Sequence, residues 1–236
     1  MGGEFPLLQV PLWIDLAAIG SGALAGAANA LRERLDLIGV LLMAIVMGLG
    51  GGIIRDLLLG LRPVAVTNEA YLLTAVGSGL ASIVLLRLVV RWVQLFSVFD
   101  ALALGLFTIV GVEKASLNGV PAAGAVLVGV AAGVGGGVIR DVVSGRPVEI
   151  VLRGSWNATA SLAGALLYLG MRALDVPVGV AEIAALLVIV GARLASLHFG
   201  LQTPEIGDVM ARVDVMARVR VLRPSKRKRA AGEDAG

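Results

Sequence analysis

The chain has 236 residues, 58% of them hydrophobic and 16% charged, with a mean hydropathy of +0.91, 32 glycines and no cysteine. A soluble domain carries about a quarter of charged residues, and the missing cysteine excludes a disulfide scaffold, a thiolate nucleophile and a thiolate metal site. The formal charge of +3 is no sign of a nucleic-acid surface, because eight of the twenty Lys and Arg residues lie between Arg212 and Arg229, as a basic tail on an apolar body.

Taken in chain order, apolar stretches near the twenty or so residues needed to cross a hydrocarbon core occur at 12–31, 37–59, 70–90, 97–114, 120–143, 156–174 and 179–199. Their Ala/Leu/Gly-rich texture predicts helices rather than the short alternating strands of a barrel. The expectation is an all-α integral membrane protein with seven transmembrane helices. Residues 1–11 have no basic n-region, so the first span reads as retained rather than as a cleaved signal. Counting alternate connections, one side holds Arg55, Arg62, Lys114 and Arg172, and the other holds Arg32, Arg34, Arg87, Arg91, Arg140, Arg146, Arg153 and the basic tail. By the positive-inside rule the C-terminus faces the cytoplasm and the N-terminus the outside of the cell membrane.

An offset of 85 residues, without a gap, brings Asp15 onto Asp100, Gly26 onto Gly111 and Gly48 onto Gly133. The same offset superposes Gly50, Gly51 and Gly52 on Gly135, Gly136 and Gly137, and Arg55, Asp56 and Gly60 on Arg140, Asp141 and Gly145. Two three-span units follow, at 12–93 and 97–175, with a seventh helix at 179–200 and the cytoplasmic tail at 201–236. Three spans is an odd number, so the second unit enters the membrane inverted.

The most informative stretches are GLGGGIIRDLLLG at 48–60 and GVGGGVIRDVVSG at 133–145. Three successive glycines each cost about 1 kcal/mol of helix propensity relative to alanine, which predicts broken helices 2 and 5 whose freed backbone groups face a water-filled path. Close packing is the other reading, since Gly22/Gly26, Gly48/Gly52, Gly129/Gly133 and Gly133/Gly137 all have small-xxx-small spacing. The repeated Arg-Asp pair beyond each triplet is what packing alone does not require. Arg55 and Arg140 either serve the path or snorkel to the interface, with Asp56 and Asp141 pairing or capping. Asp15 and Asp100 open the first span of each unit, as ordinary caps or as path entrances. Lys114 stands opposite Asn29, so the units are not chemically identical. Glu182 and Arg193 lie in the last span, facing either the bundle or a neighbouring subunit.

Neither glycine segment matches G-x-G-x-x-G, and no GK[ST] follows, so no nucleotide site is predicted. His198 is the sole histidine, at the end of the last span, and no HExxH or comparable ligand set exists. An enzyme is not expected, nor any catalytic, cofactor or metal residue. The RPSKRKR segment at 223–229 is suited to anionic lipid headgroups or to plain positive-inside anchoring.

The duplicated triplet and Arg-Asp elements, in two three-span units followed by a seventh span, resemble the prokaryotic members of the trimeric intracellular cation (TRIC) channel family. The resemblance covers roughly residues 12–200. It implies a homotrimer in which each subunit has its own path for potassium and other monovalent cations such as sodium, with no cofactor. It also implies that Gly50, Gly51, Gly52, Arg55 and Asp56 shape the outer half of the path, and Gly135, Gly136, Gly137, Arg140 and Asp141 the cytoplasmic half. The lipid-contact motif of the animal relatives is not recognisable at the first triplet. A secondary transporter of glycine or another small solute is the alternative, because inverted repeats with discontinuous helices are found in that class.

Overall fold

The computed structural model describes residues 11–84, 93–151 and 156–200, and the basic tail and Arg87, Arg91 and Arg153 lie outside them. Among the described residues the chain forms eight α-helices: α1 (Leu12–Arg32), α2 (Leu37–Leu58), α3 (Val64–Thr67), α4 (Glu69–Val84), α5 (Val93–Leu117), α6 (Ala122–Val143), α7 (Asn157–Ala173) and α8 (Val178–Phe199). A single 3-10 turn, Glu149–Val151, precedes α7.

The ends follow from local chemistry. Proline stands at the N-cap of α1, α3, α6 and α8, where its missing N–H costs nothing. Asp36 caps α2 by accepting the Gly39 N–H at 2.8 Å. The two triplet-bearing helices, α2 and α6, stop in the same way. Gly60 and Gly145 take left-handed backbone conformations, with φ of 67° and 64°. The next residue then donates back into the helix, Leu61 N–H to the Asp56 carbonyl and Arg146 N–H to the Asp141 carbonyl.

Two expectations are corrected. Seven membrane-crossing helices are not present among the described residues; five are long and apolar enough, Leu12–Arg32, Leu37–Leu58, Phe96–Leu117, Ala122–Val143 and Val178–Phe199. At the α-helical rise, α7 spans only about 26 Å and the described part of α4 about 24 Å, where a hydrocarbon core measures about 30 Å. The described residues of the 70–90 window are helical over Glu69–Val84, and the 156–174 window falls on a helix of 17 residues, Asn157–Ala173.

The second correction concerns the glycines: helices 2 and 5 of the expected series, now α2 and α6, are not broken, because both run helically through their triplets. A Cβ at Gly51 would strike the Ala132 carbonyl oxygen and stand 3.2 Å from the Phe107 ring, and a Cβ at Gly136 would lie 2.8 Å from the Met47 carbonyl oxygen. Residues 47 and 51 plus the 85-residue offset are 132 and 136, so the two contacts exchange under the repeat. The helices therefore cross antiparallel about a local twofold axis. At Gly51 and Gly136 the loss of propensity is offset by close approach to the backbone of the other helix, which a side chain would block.

The rest of the bundle repeats this logic. Helices α1, α2 and α4 pack on one another, as do α5, α6 and α7, and the two groups join through α1 against α5 and α2 against α6. Helix α8 packs on α5 and α7. Alanine and glycine line these seams: Ala18, Ala23, Ala27, Ala30 and Ala44 are buried in one core cluster, Ala115, Ala125, Ala160, Ala181 and Ala185 in the other. Gly51→Val is expected to destabilise the protein by about 1–3 kcal/mol through overpacking. Gly137→Ala, with nothing within 4 Å of the added methyl, is expected to be neutral or mildly stabilising. Thermal unfolding in detergent checks both.

Candidate functional site

Each triplet helix delivers an arginine and an aspartate at its last turn, and both pairs are buried. Charge removed from water must be matched by opposite charge and by hydrogen bonds, so the neighbours of Arg55 and Arg140 decide what these sites can do.

Arg55 is fully buried. Its Nη1 donates to Asp15 Oδ1 at 2.8 Å, its Nη2 reaches Asp15 Oδ2 at 3.5 Å, and its Nε donates to Asp56 Oδ1 at 2.9 Å. Tyr71 Oη donates to Asp15 Oδ2 at 2.9 Å, and Lys114 Nζ donates to Asp56 Oδ1 at 2.9 Å. The second Asp56 oxygen accepts the Val64 N–H at 2.9 Å, capping α3. Five helices, α1 to α5, thus meet in one network built on Arg55 and its two aspartates.

The second network keeps the plan and changes the residues. Arg140 Nε donates to Asp141 Oδ1 at 2.8 Å, and Asp141 Oδ2 accepts the Glu149 N–H at 2.8 Å. Residue 149 is residue 64 plus the repeat offset, so the aspartate fixes the following connection identically in both units. Arg140 Nη1, however, stands 4.0 Å from Asp100 Oδ1, where its counterpart Arg55 makes a direct bond to Asp15. Arg193 of α8 takes the place instead, with Nη2 at 3.3 Å from Asp100 Oδ2 and 3.1 Å from Glu149 Oε1, while Arg140 Nη2 reaches Glu149 Oε2 at 3.2 Å.

In ordinary charge states the first network balances Asp15 and Asp56 against Arg55 and Lys114. The second sets Asp100, Asp141 and Glu149 against Arg140 and Arg193, one carboxylate in excess. The arginines are therefore already neutralised, which removes most of the repulsion that a bare guanidinium would exert on a passing cation.

Two cavities accompany the networks. One, with about 30 Å³ open to water centres, is bounded by Asp100, Arg140, Asp141, Glu149, Gly136 and Gly137. The other, about 10 Å³, is bounded by Asp15, Arg55, Gly52 and Tyr71. A water needs roughly 10–15 Å³, so the first has room for about two waters and the second for one at most. Phe107 touches both cavities.

The sequence-predicted residues thus fall into two clusters, Asp15, Arg55, Asp56 and Lys114 in one and Asp100, Arg140 and Asp141 in the other, with Gly50, Gly51, Gly135 and Gly136 at the crossing between them. Asp15 is not a helix cap, since Pro11 holds that position with no side-chain cap; it is the acceptor for Arg55 and Tyr71. Asn29, opposite Lys114 in the repeat, donates to Glu33 at 2.7 Å, and Glu33 pairs with Arg146 at 2.9 Å. Arg193 faces the bundle, and Glu182 faces Glu113 of α5. His198 is exposed, edge-on to Phe199 at 4.9 Å. Among the described residues no group of His, Cys, Asp or Glu is arranged to hold a metal ion.

Sequence reasoning passed over Tyr71 and Glu149. The available signal was a departure from the repeat: the offset pairs Tyr71 with Trp156 and Glu149 with Val64, so each site gains a polar group that its copy lacks. Asp56→Asn is expected to cost about 3–5 kcal/mol, because it strips a carboxylate from two cations at once. Lys114→Met is expected to cost less, since the Lys114 side chain is 20% exposed and Arg55 keeps both aspartates. Comparative thermal unfolding of the two variants checks the order.

The model of a family described as Glycine transporter matches twice, over residues 12–87 and 97–173. A UPF0126 membrane protein of Deinococcus radiodurans is 37% identical over 155 residues, covering 65% of this chain and 72% of that protein. The UPF0126 inner membrane protein YadS of Escherichia coli K12 is 34% identical over 197 residues, covering 81% and 94%. Among solved structures, the TRIC trimeric intracellular cation channel orthologue from Rhodobacter sphaeroides superposes with a TM-score of 0.74 at 32% identity, over 80% of this chain and 98% of that one. A second TRIC cation channel gives 0.73 at 32% identity, over 83% and 97%. With the duplicated bundle, the inverted crossing and these similarities extending along the same residues, the chain is a multi-pass membrane protein that belongs to the TRIC cation-channel family.

Proposed function

We propose that each subunit conducts monovalent cations, potassium foremost, along a path through its own bundle, and that three copies assemble as a homotrimer. The observation that carries this reading is the pair of small cavities at the α2/α6 crossing, each bordered by a charge network whose arginine is neutralised. TRIC relatives are cation channels and trimeric by name. Gly52, Arg55 and Asp56 belong to one half of the path and Gly136, Gly137, Arg140 and Asp141 to the other, with Gly50, Gly51 and Gly135 shaping the crossing. Asp15, Asp100 and Lys114 hold the arginines and the first aspartate in place.

The same reading orients the chain with its N-terminus outside and its C-terminus cytoplasmic. Asp15 near the start of α1, Arg55 at the end of α2 and Lys114 at the end of α5 share one network, which is assigned to the outer side. Asp100 near the start of α5, Arg140 at the end of α6 and Arg193 at the end of α8 share the other, on the side of the basic tail. Support comes from the excess of Lys and Arg on that side. The tail is suited to anionic headgroups there.

Purified protein in planar bilayers is expected to give discrete currents that reverse near the potassium equilibrium potential under a potassium gradient. Saturable glycine exchange without unitary currents would instead favour the transporter that the family description suggests. Arg55→Ala and Arg140→Ala are expected to alter open probability or voltage dependence; unchanged conductance, open probability and voltage dependence in both would remove the arginines from the gate.

A further inference from the structure

We infer that the Phe107 ring is the apolar barrier that separates the two water-sized cavities, and that wetting past this one side chain controls conduction. The inference rests on the channel reading above. Phe107 is 2% exposed, and it is the aromatic residue that borders both the Asp15/Arg55 cavity and the Asp100/Arg140 cavity. Its ring lies against the first triplet, 3.2 Å from where a Cβ of Gly51 would stand and 3.8 Å from that of Gly52. The ring therefore occupies space at the crossing that the glycines leave free, between charged groups on both sides.

The repeat explains why there is one barrier and not two. Residue 107 less the 85-residue offset is Gly22, and Gly22 packs flat on the Met47 carbonyl, 2.8 Å from where its Cβ would be. The aromatic side chain is thus a feature of the second unit alone, inserted on the pseudo-twofold axis region that the two units otherwise share. Both cavities are water-sized and lie beside charged groups, but a continuous water file has to pass an apolar ring, and such a constriction blocks ions by dewetting without any charge of its own.

Polarity is separated from side-chain shape by comparing Phe107→Leu with Phe107→Asn, whose side chains have the same number and branching of heavy atoms, in planar bilayers beside the wild type. The Asn variant is expected to raise open probability at least about fivefold over the Leu variant, and Phe107→Trp to lower it below the wild type. Phe107→Gly, the residue of the first unit at this position, is expected to leak, and it serves if the buried amide prevents folding. Elution as the wild-type oligomer establishes that each variant is folded. Leu, Asn and Gly variants that all gate like the wild type would overturn the inference while leaving the channel reading intact. A wild type without unitary currents would overturn the channel reading itself.

Discussion

A guanidinium held away from water has to meet carboxylates, and most of the internal order of this bundle follows from meeting that demand twice. Arg55 and Arg140 sit at the ends of the two helices that cross at the centre, and neither could be buried without partners from elsewhere in the chain. Asp15 and Asp100, near the starts of α1 and α5, supply carboxylates on the same side as each arginine. Neighbouring helices then have to run antiparallel, start beside end. The charge pairing and the up-and-down topology are two descriptions of one constraint.

Duplication supplies the frame, and the departures from it supply the chemistry. In the first network Lys114 arrives from the opposite unit and completes a neutral set. In the second, Arg193 arrives from the helix that lies outside the repeat, and Glu149 adds a carboxylate where the first unit has Val64. The second network is consequently looser: Arg140 is 4.0 Å from Asp100, and the adjoining cavity is larger. The two ends of a pseudosymmetric bundle are thereby made unequal, and the weaker closure falls on the side where α8 can act on it.

The repeat, the Arg-Asp pairs, the aspartates at 15 and 100 and the helical membrane class were all legible in the chain, because identical residues at a constant offset need no knowledge of distance. The partners Tyr71 and Glu149 were not, since neither has a copy to mark it and Tyr71 joins its site across 56 residues. The triplets were misread for a related reason. Propensity counts what a glycine costs its own helix, whereas the gain at Gly51 and Gly136 is the nearness of the Ala132 and Met47 carbonyls on another helix. Window hydropathy likewise registered α7 as a span, because it measures apolar content and not where the helix begins and ends.

The two oxygens of Asp56 and of Asp141 answer to different parts of the chain. One takes the neighbouring arginine, and the other holds the backbone N–H four residues beyond the turn glycine, at Val64 or Glu149. A carboxylate that is a single rigid plane cannot rotate toward one without turning from the other. The surface connections at 59–63 and 144–148 are therefore mechanically geared to the buried guanidinia, one covalent group away, and a lipid or solute that tugs on either connection acts on the interior charge with no relay of helices between them.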